Sequence, residues 1–230
     1  RLISHATYAK GFKISKELWD DDQYNLMNAK PRELGVAARR TEETIAANIF
    51  NRAFNSSYLG GDDQELCSTV HPRPDAGTSQ SNASTTGITF TEENYETLKL
   101  QMRAQLDGRG QIINVAPSVL VIPENLEKLA NIIFKSNLRS GTADNDYNPY
   151  LNELRVIVWL YMNRNDTHWF ILDKEQIGLV WLQREPMAFS QDTAFESDAA
   201  LFKVRERFSV GWYDWHGLVG SQGDGAAYSG

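Results

Sequence analysis

One stretch limits what this chain can fold into more than any other. Between Pro31 and Phe54, the residues Leu34, Ala38, Thr41, Ile45, Ile49 and Ala53 recur at three- and four-residue steps, which puts them on one face of a helix. Pro31 suits the first helical position, where a missing N–H leaves no bond unmade. Arg39, Arg40, Glu42 and Glu43 fall largely off the stripe. At 1.5 Å per residue, a helix over 31–54 is about 36 Å long. That length suits a strut better than one wall of a small core.

Shorter patterns flank the strut. Residues 1–22 alternate weakly, with Tyr8, Phe12, Ile14 and Leu18 set among Lys10, Lys13, Lys16 and Glu17, and end in Asp20-Asp21-Asp22. An isolated strand of this kind cannot shield its apolar side or satisfy its backbone. It is therefore expected to project and to bury Phe12, Ile14 and Leu18 on neighbouring molecules. Residues 60–90 are rich in Gly, Pro, Ser, Thr and Asn and read as a surface loop between two lobes. A second helix is predicted from Thr91, its cap, to Leu106, and a third from Pro123, with Leu126, Leu129, Ala130 and Ile133 facing inward.

Strands are predicted at Val115–Ile122, Leu154–Met162, His168–Leu172 and Gly178–Gln183, with Asn163-Arg164-Asn165-Asp166 as a turn. The last long one is Leu201–Trp215. Phe202, Val204, Phe208, Val210 and Trp212 alternate there and should pack on the strut, with Gly211 as a bend or bulge. Glu206 interrupts the apolar side and calls for a partner, Arg39, Arg40 or an Arg from a neighbour. The Gly/Ser-rich tail after Gly220 reads as loose. Few long helices with scattered strands, and no internal repeat, make this an α+β chain.

The composition narrows the functional classes. A net charge of −7 argues against a dedicated nucleic-acid binder, which needs clustered Lys and Arg. Hydrophobic residues at 41% can fill a core, and six Trp leave aromatic surface for interfaces. Cys67 is the single cysteine, so the chain has no disulfide of its own and the thiol is expected to be a small buried side chain. No run of apolar residues is long enough to span a membrane as a helix. No signal peptide is evident, which fits cytosolic synthesis; the start at Arg1 without Met implies that a leading segment is missing.

No motif for chemistry stands out. The four His show no zinc spacing, and no cofactor or metal is expected. Asp144-Asn145-Asp146-Tyr147-Asn148 opens like a calcium loop but fails at Pro149 and Arg155, where Gly and Glu belong. Ser209, His216 and Asp214, or Cys67 with His71, form catalytic sets only on paper. The acidic pairs Asp20/Asp22 and Asp62/Asp63 are better read as solvated turns than as a glycosidase pair. Asn55, Asn82 and Asn165 head glycosylation sequons that carry no weight without secretion.

Three stretches carry a resemblance. Ala6-Thr7-Tyr8-Ala9-Lys10-Gly11-Phe12 through Asp22, followed by the long helix, is similar to the returning strand of an extended loop leading into a spine helix. Gly178-Leu179-Val180-Trp181 through Pro186 resembles a stretch of the same family, and Leu201-Phe202-Lys203-Val204 through Trp215 resembles its closing strand. That family is the major capsid proteins of tailed bacteriophages, with the Hong Kong 97-type fold.

The resemblance implies an α+β fold divided into four parts. These are an extended-loop strand at 1–22, a peripheral domain at 23–90 and 184–215, an axial domain at 91–183, and a tail at 216–230. It also implies a structural, non-enzymatic role in the virion, with assembly in the bacterial cytoplasm. Partners would be copies of the chain in hexamers and pentamers, portal, scaffold or decoration proteins, and packaged double-stranded DNA held without sequence specificity; no membrane is involved. Phe12, Ile14, Leu18, Lys10, Lys13 and Lys16 would serve assembly. Glu206, Phe208, Trp212, Arg39 and Arg40 would be structural. An encapsulin-like compartment and a hydrolase using an acidic pair are the rival readings.

Overall fold

The structure is a computed structural model that describes residues 3–22, 26–75, 77–139, 146–163 and 167–223. Asp144 and Asn145 of the calcium-like loop, residues 164–166 of the expected turn and residues 224–230 of the tail lie outside these. The chain forms two units, one from residues 2–46 and 180–211, the other from residues 47–179 and 212–230 together with Arg1. Residues 47–90, which the resemblance assigned to the peripheral domain, fall in the second of these.

The first unit is a three-stranded sheet with a helix against it. Its strands are β1 (Ala6–Ile14), β5 (Leu179–Ala194) and β6 (Ala199–Trp212), in the order β1-β6-β5. A short helix α1 (Lys16–Asp20) follows β1, capped by Ser15, whose hydroxyl accepts from the Leu18 N–H. Helix α2 (Leu26–Asn51) holds Pro31 inside it, so it begins five residues before the expected start. Good helix formers at Leu26, Met27, Ala29 and Lys30 extend it backwards, and the bond lost at Pro31 is tolerated. Leu34 and Ala38 pack on Val204, with Phe12, Met187 and Phe202 around them.

Two expectations change here. Residues 6–14 do not project as an unpartnered arm, because every residue from Ala6 to Ile14 is paired antiparallel to β6, Phe12 opposite Phe202 and Ile14 opposite Ala200. Strand β6 supplies the backbone partners that an isolated strand lacks. Strand β5 also runs far past Gln183. It passes through Pro186, because an outer strand tolerates a residue that cannot donate.

The second unit is built on a four-stranded sheet, β3-β2-β4-β7, formed by β2 (Val119–Ile122), β3 (Arg155–Val158), β4 (Trp169–Leu172) and β7 (Leu218–Ser221). Strands β2 and β3 run parallel; the other two pairs are antiparallel. Helices α3 (Glu92–Arg103) and α4 (Glu127–Lys135) contribute Tyr95, Leu98, Met102, Ala130 and Phe134 to one core with Leu120, Ile122, Trp169 and Ile171. Thr91 caps α3 by accepting from the Asn94 N–H. Leu129 is 43% exposed, so the inward face of α4 is Ala130 and Phe134, with Ile133 partly buried beside them and Leu126 buried just before the helix.

Strand β7 corrects the reading of 216–230 as tail. Leu218 and Val219 are buried and pair with β4. Gly220 is needed for close approach rather than looseness: a Cβ there would lie 2.6 Å from Cδ1 of Phe170. The segment 60–90 is likewise no surface loop throughout, since Leu66, Cys67, Ser68, His71, Asn82 and Ala83 are buried.

Candidate assembly surface

The first unit carries most of the residues singled out in the sequence. On β6, Phe202, Val204, Glu206 and Phe208 share one side, as strand alternation requires, with no bulge to flip them. Phe208 is fully buried, stacked on Trp181 at 4.5 Å and tilted against Tyr8 at 4.9 Å. Its neighbours are thus cross-strand aromatics, and the side chains meeting α2 are those near Val204. Gly211 continues the strand, which runs on to Trp212. Trp212, expected on the strut, falls in the other unit, against Gly60, where it lines a cavity with Asp62, Arg73, Trp215 and His216.

Glu206 is 2% exposed, and its carboxyl faces Glu42 of α2, itself buried. Burial is the main cause that pushes Glu206 up to about 7, and the adjoining Glu42 adds to it; Arg39 acts in the opposite sense. Arg39 donates to Glu42 at 2.7 Å and pairs with Glu43 at 3.0 Å, so it reaches Glu206 only through space. The expected salt bridge to Arg39 or Arg40 is thus replaced by a carboxyl pair. Arg40 is exposed and shares with Tyr8, Lys10, Thr41 and Val204 the lining of a hollow that Glu206 also borders. Glu42 was missed in the sequence, although 34, 38 and 42 form an i, i+4, i+8 row.

The extended-loop residues divide. Ile14 is buried within its own unit, and Phe12 is half-buried on the Phe202 ring at 5.1 Å. Leu18 sits on α1 and is 53% exposed. Lys10, Lys13 and Lys16 are exposed; Lys13 donates to Ser197 at 3.0 Å and Lys16 approaches Asp198 at 3.9 Å. Further apolar side chains are open on the same unit. Trp19, Val36, Leu182 and Phe189 are exposed, and Phe195, in the turn between β5 and β6, is 98% exposed.

Of Ser209, His216 and Asp214, only the last two are bonded to each other. Ser209 bonds to His5, and His216 to Asp214 and to the Leu106 carbonyl. Against the effect of burial, bonds from the His216 side chain and backbone hold Asp214 below the usual carboxylate range. Cys67 is buried, which pushes its thiol well up and away from nucleophilic use. His71 serves the fold. Its Nδ1 lies 2.6 Å from Asp62 and its Nε2 3.0 Å from the Asn82 Oδ1. The Asn82 amide is oriented by donating to the Leu66 carbonyl and accepting from the Ser68 N–H, both at 2.8 Å. Among the described residues, no cluster of three or more His, Cys, Asp or Glu could hold a metal ion.

The sequence profile of the phage capsid protein family matches residues 1–221. This chain belongs to that family. No curated protein matches its sequence significantly. Among solved structures it is similar to the mature capsid of bacteriophage PhiM1, at 9% identity and a TM-score of 0.62, covering 96% of this chain and 72% of that one. The capsid of cyanophage P-SCSP1u aligns at 10% identity and 0.60, covering 96% and 72%. The capsid of bacteriophage JBD30, described as decorated with minor capsid protein trimers, aligns at 16% identity and 0.57, covering 70% and 75%. The fold is α+β and of the Hong Kong 97-like capsid type, and the chain is a structural major capsid protein of the virion.

Proposed function

We propose that copies of this chain assemble as hexamers and pentamers into the icosahedral head of a tailed phage. The shell would form in the bacterial cytoplasm and enclose double-stranded DNA without reading its sequence. The family match over residues 1–221 carries this reading. The exposed apolar side chains of the first unit support it, because surface such as Leu182, Phe189 and Phe195 is costly to leave in water. The net charge of −7 fits a wall that lies near DNA and does not grip it. Portal, scaffold and decoration proteins are the further partners in this reading.

The role is structural and not enzymatic. Asp62 is engaged by His71, so it acts as a fixed strut of the fold rather than as half of the Asp62/Asp63 pair. Negative-stain microscopy of the purified chain tests the proposal. Closed shells, or rings of five and six, are expected; a monomer that never assembles, at concentrations where capsid proteins do, would refute it. Particles recovered from infected cells should protect DNA of mixed sequence from nuclease. Nanomolar, sequence-selective DNA binding at physiological salt would contradict the DNA part of the reading.

A further inference from the structure

We infer that Glu42 and Glu206 together form a proton-binding site that makes the packing of helix α2 on its sheet depend on pH. The geometry carries this. Glu206 of β6 borders a hollow with Ala37, Ala38 and Thr41 of α2, and its buried carboxyl is in hydrogen-bond contact with the buried Glu42 of the same helix. Two carboxylates in contact away from water cannot both stay charged without a large cost, so one proton is held between them. Arg39 bonds directly to Glu42, which leaves the proton on Glu206. The second oxygen of Glu206 is buried and has no hydrogen-bond partner, so nothing else neutralises that group.

The surrounding charges leave the pair as the titrating element. On α2 they are Arg39, bonded to Glu42 and Glu43, and Arg40, exposed at the edge of the adjoining hollow. On β1 they are Tyr8, opposite Glu206 in the ladder, and Lys10, exposed and lining the same hollow. On β5, Glu185 is paired with Arg205 of β6 at 3.3 Å.

The sign follows from which state holds the proton more tightly. Glu206 has an ordinary value of 4.5 and is raised to about 7 in the fold. A proton bound preferentially by the folded chain stabilises it fully below about 4.5, and that stabilisation is lost as pH rises through about 7. Deprotonation then sets two negative charges between the spine helix and the sheet beneath it. A shell built from such subunits would hold its helix–sheet angle firmly in acid and loosen it in mild base. This consequence rests on the capsid reading; the proton site itself does not.

The test uses the unassembled full chain, so failure of the shell reading leaves it intact. Thermal melts are recorded from pH 5 to pH 8 for the wild type, Glu206→Gln and Glu42→Gln. Glutamine keeps the shape and a donor but cannot ionise. The wild type should lose about 5–10 °C of melting temperature across that range. Glu206→Gln should match it near pH 5, exceed it at pH 8 and show a clearly smaller slope, and Glu42→Gln should also flatten the slope. Should Glu206→Gln fail to fold, carbon-13 carboxyl NMR of the wild type decides: one Glu resonance titrating near neutrality supports the site. Slopes equal in all three chains, or every Glu carboxyl titrating in the ordinary range, would overturn it.

Discussion

Replacing Phe208 with alanine probes the part of the fold that joins the sheet's three strands. The ring is fully buried, and it touches β5 through Trp181 at 4.5 Å and β1 through Tyr8 at 4.9 Å. Truncating such a ring removes its transfer free energy and leaves a cavity, at about 3–5 kcal/mol. The two aromatic contacts carry roughly 0.5–1.5 kcal/mol each beyond area, which places the cost at the upper part of that range. For a chain of this size the melting temperature should fall by about 10 °C or more. Differential scanning fluorimetry on the unassembled chain measures it, with Trp181 as a reporter close to the change. Phe208→Leu keeps most of the apolar volume but loses both ring contacts, and should cost about 1–3 kcal/mol. Tyr213→Ala, at a side chain 71% exposed, should be nearly silent. Melting of Phe208→Ala within a degree or two of the wild type, with assembly yield unchanged, would mean that this ring does not tie the three strands together.

Two further substitutions address the second unit. Gly220→Ala should destabilise by about 1–3 kcal/mol, because the new methyl meets Phe170 at 2.6 Å and the Cys67 sulfur at 3.1 Å; Gly61→Ala, with open space around it, is the control, and urea denaturation compares them. Asn82→Ala should cost roughly 2–4 kcal/mol, since it strands the Ser68 N–H and the Leu66 carbonyl in a buried site. Faster proteolysis between residues 60 and 90 should accompany that loss, and an unchanged cleavage rate would show that Asn82 does not organise the segment.

Periodicity alone marked the long helix, the capped helix after Thr91, and β6 with Glu206 on its buried side, because each depends on spacing within one continuous stretch. The resemblance in 6–22, 178–186 and 201–215 pointed to the capsid fold. Composition, by contrast, misled at Gly220 and across residues 60–90. Glycine and asparagine mark turns by default, and only the arrival of Phe170 over Gly220, or of Ser68 and Leu66 around Asn82, makes them parts of a core. Pairing was also hidden. Nothing local says that Ala6–Ile14 will find β6 some two hundred residues later, so an arm reaching for neighbours was the natural expectation, whereas the strand satisfies its backbone at home. Glu206 joins both lessons. Its alternation placed it inward, and its burial demanded a partner, but an acid that is short of a cation can instead share a proton. That choice belonged to Glu42, which tertiary packing brought to face it while Arg39 turned outward to hold Glu42 and Glu43.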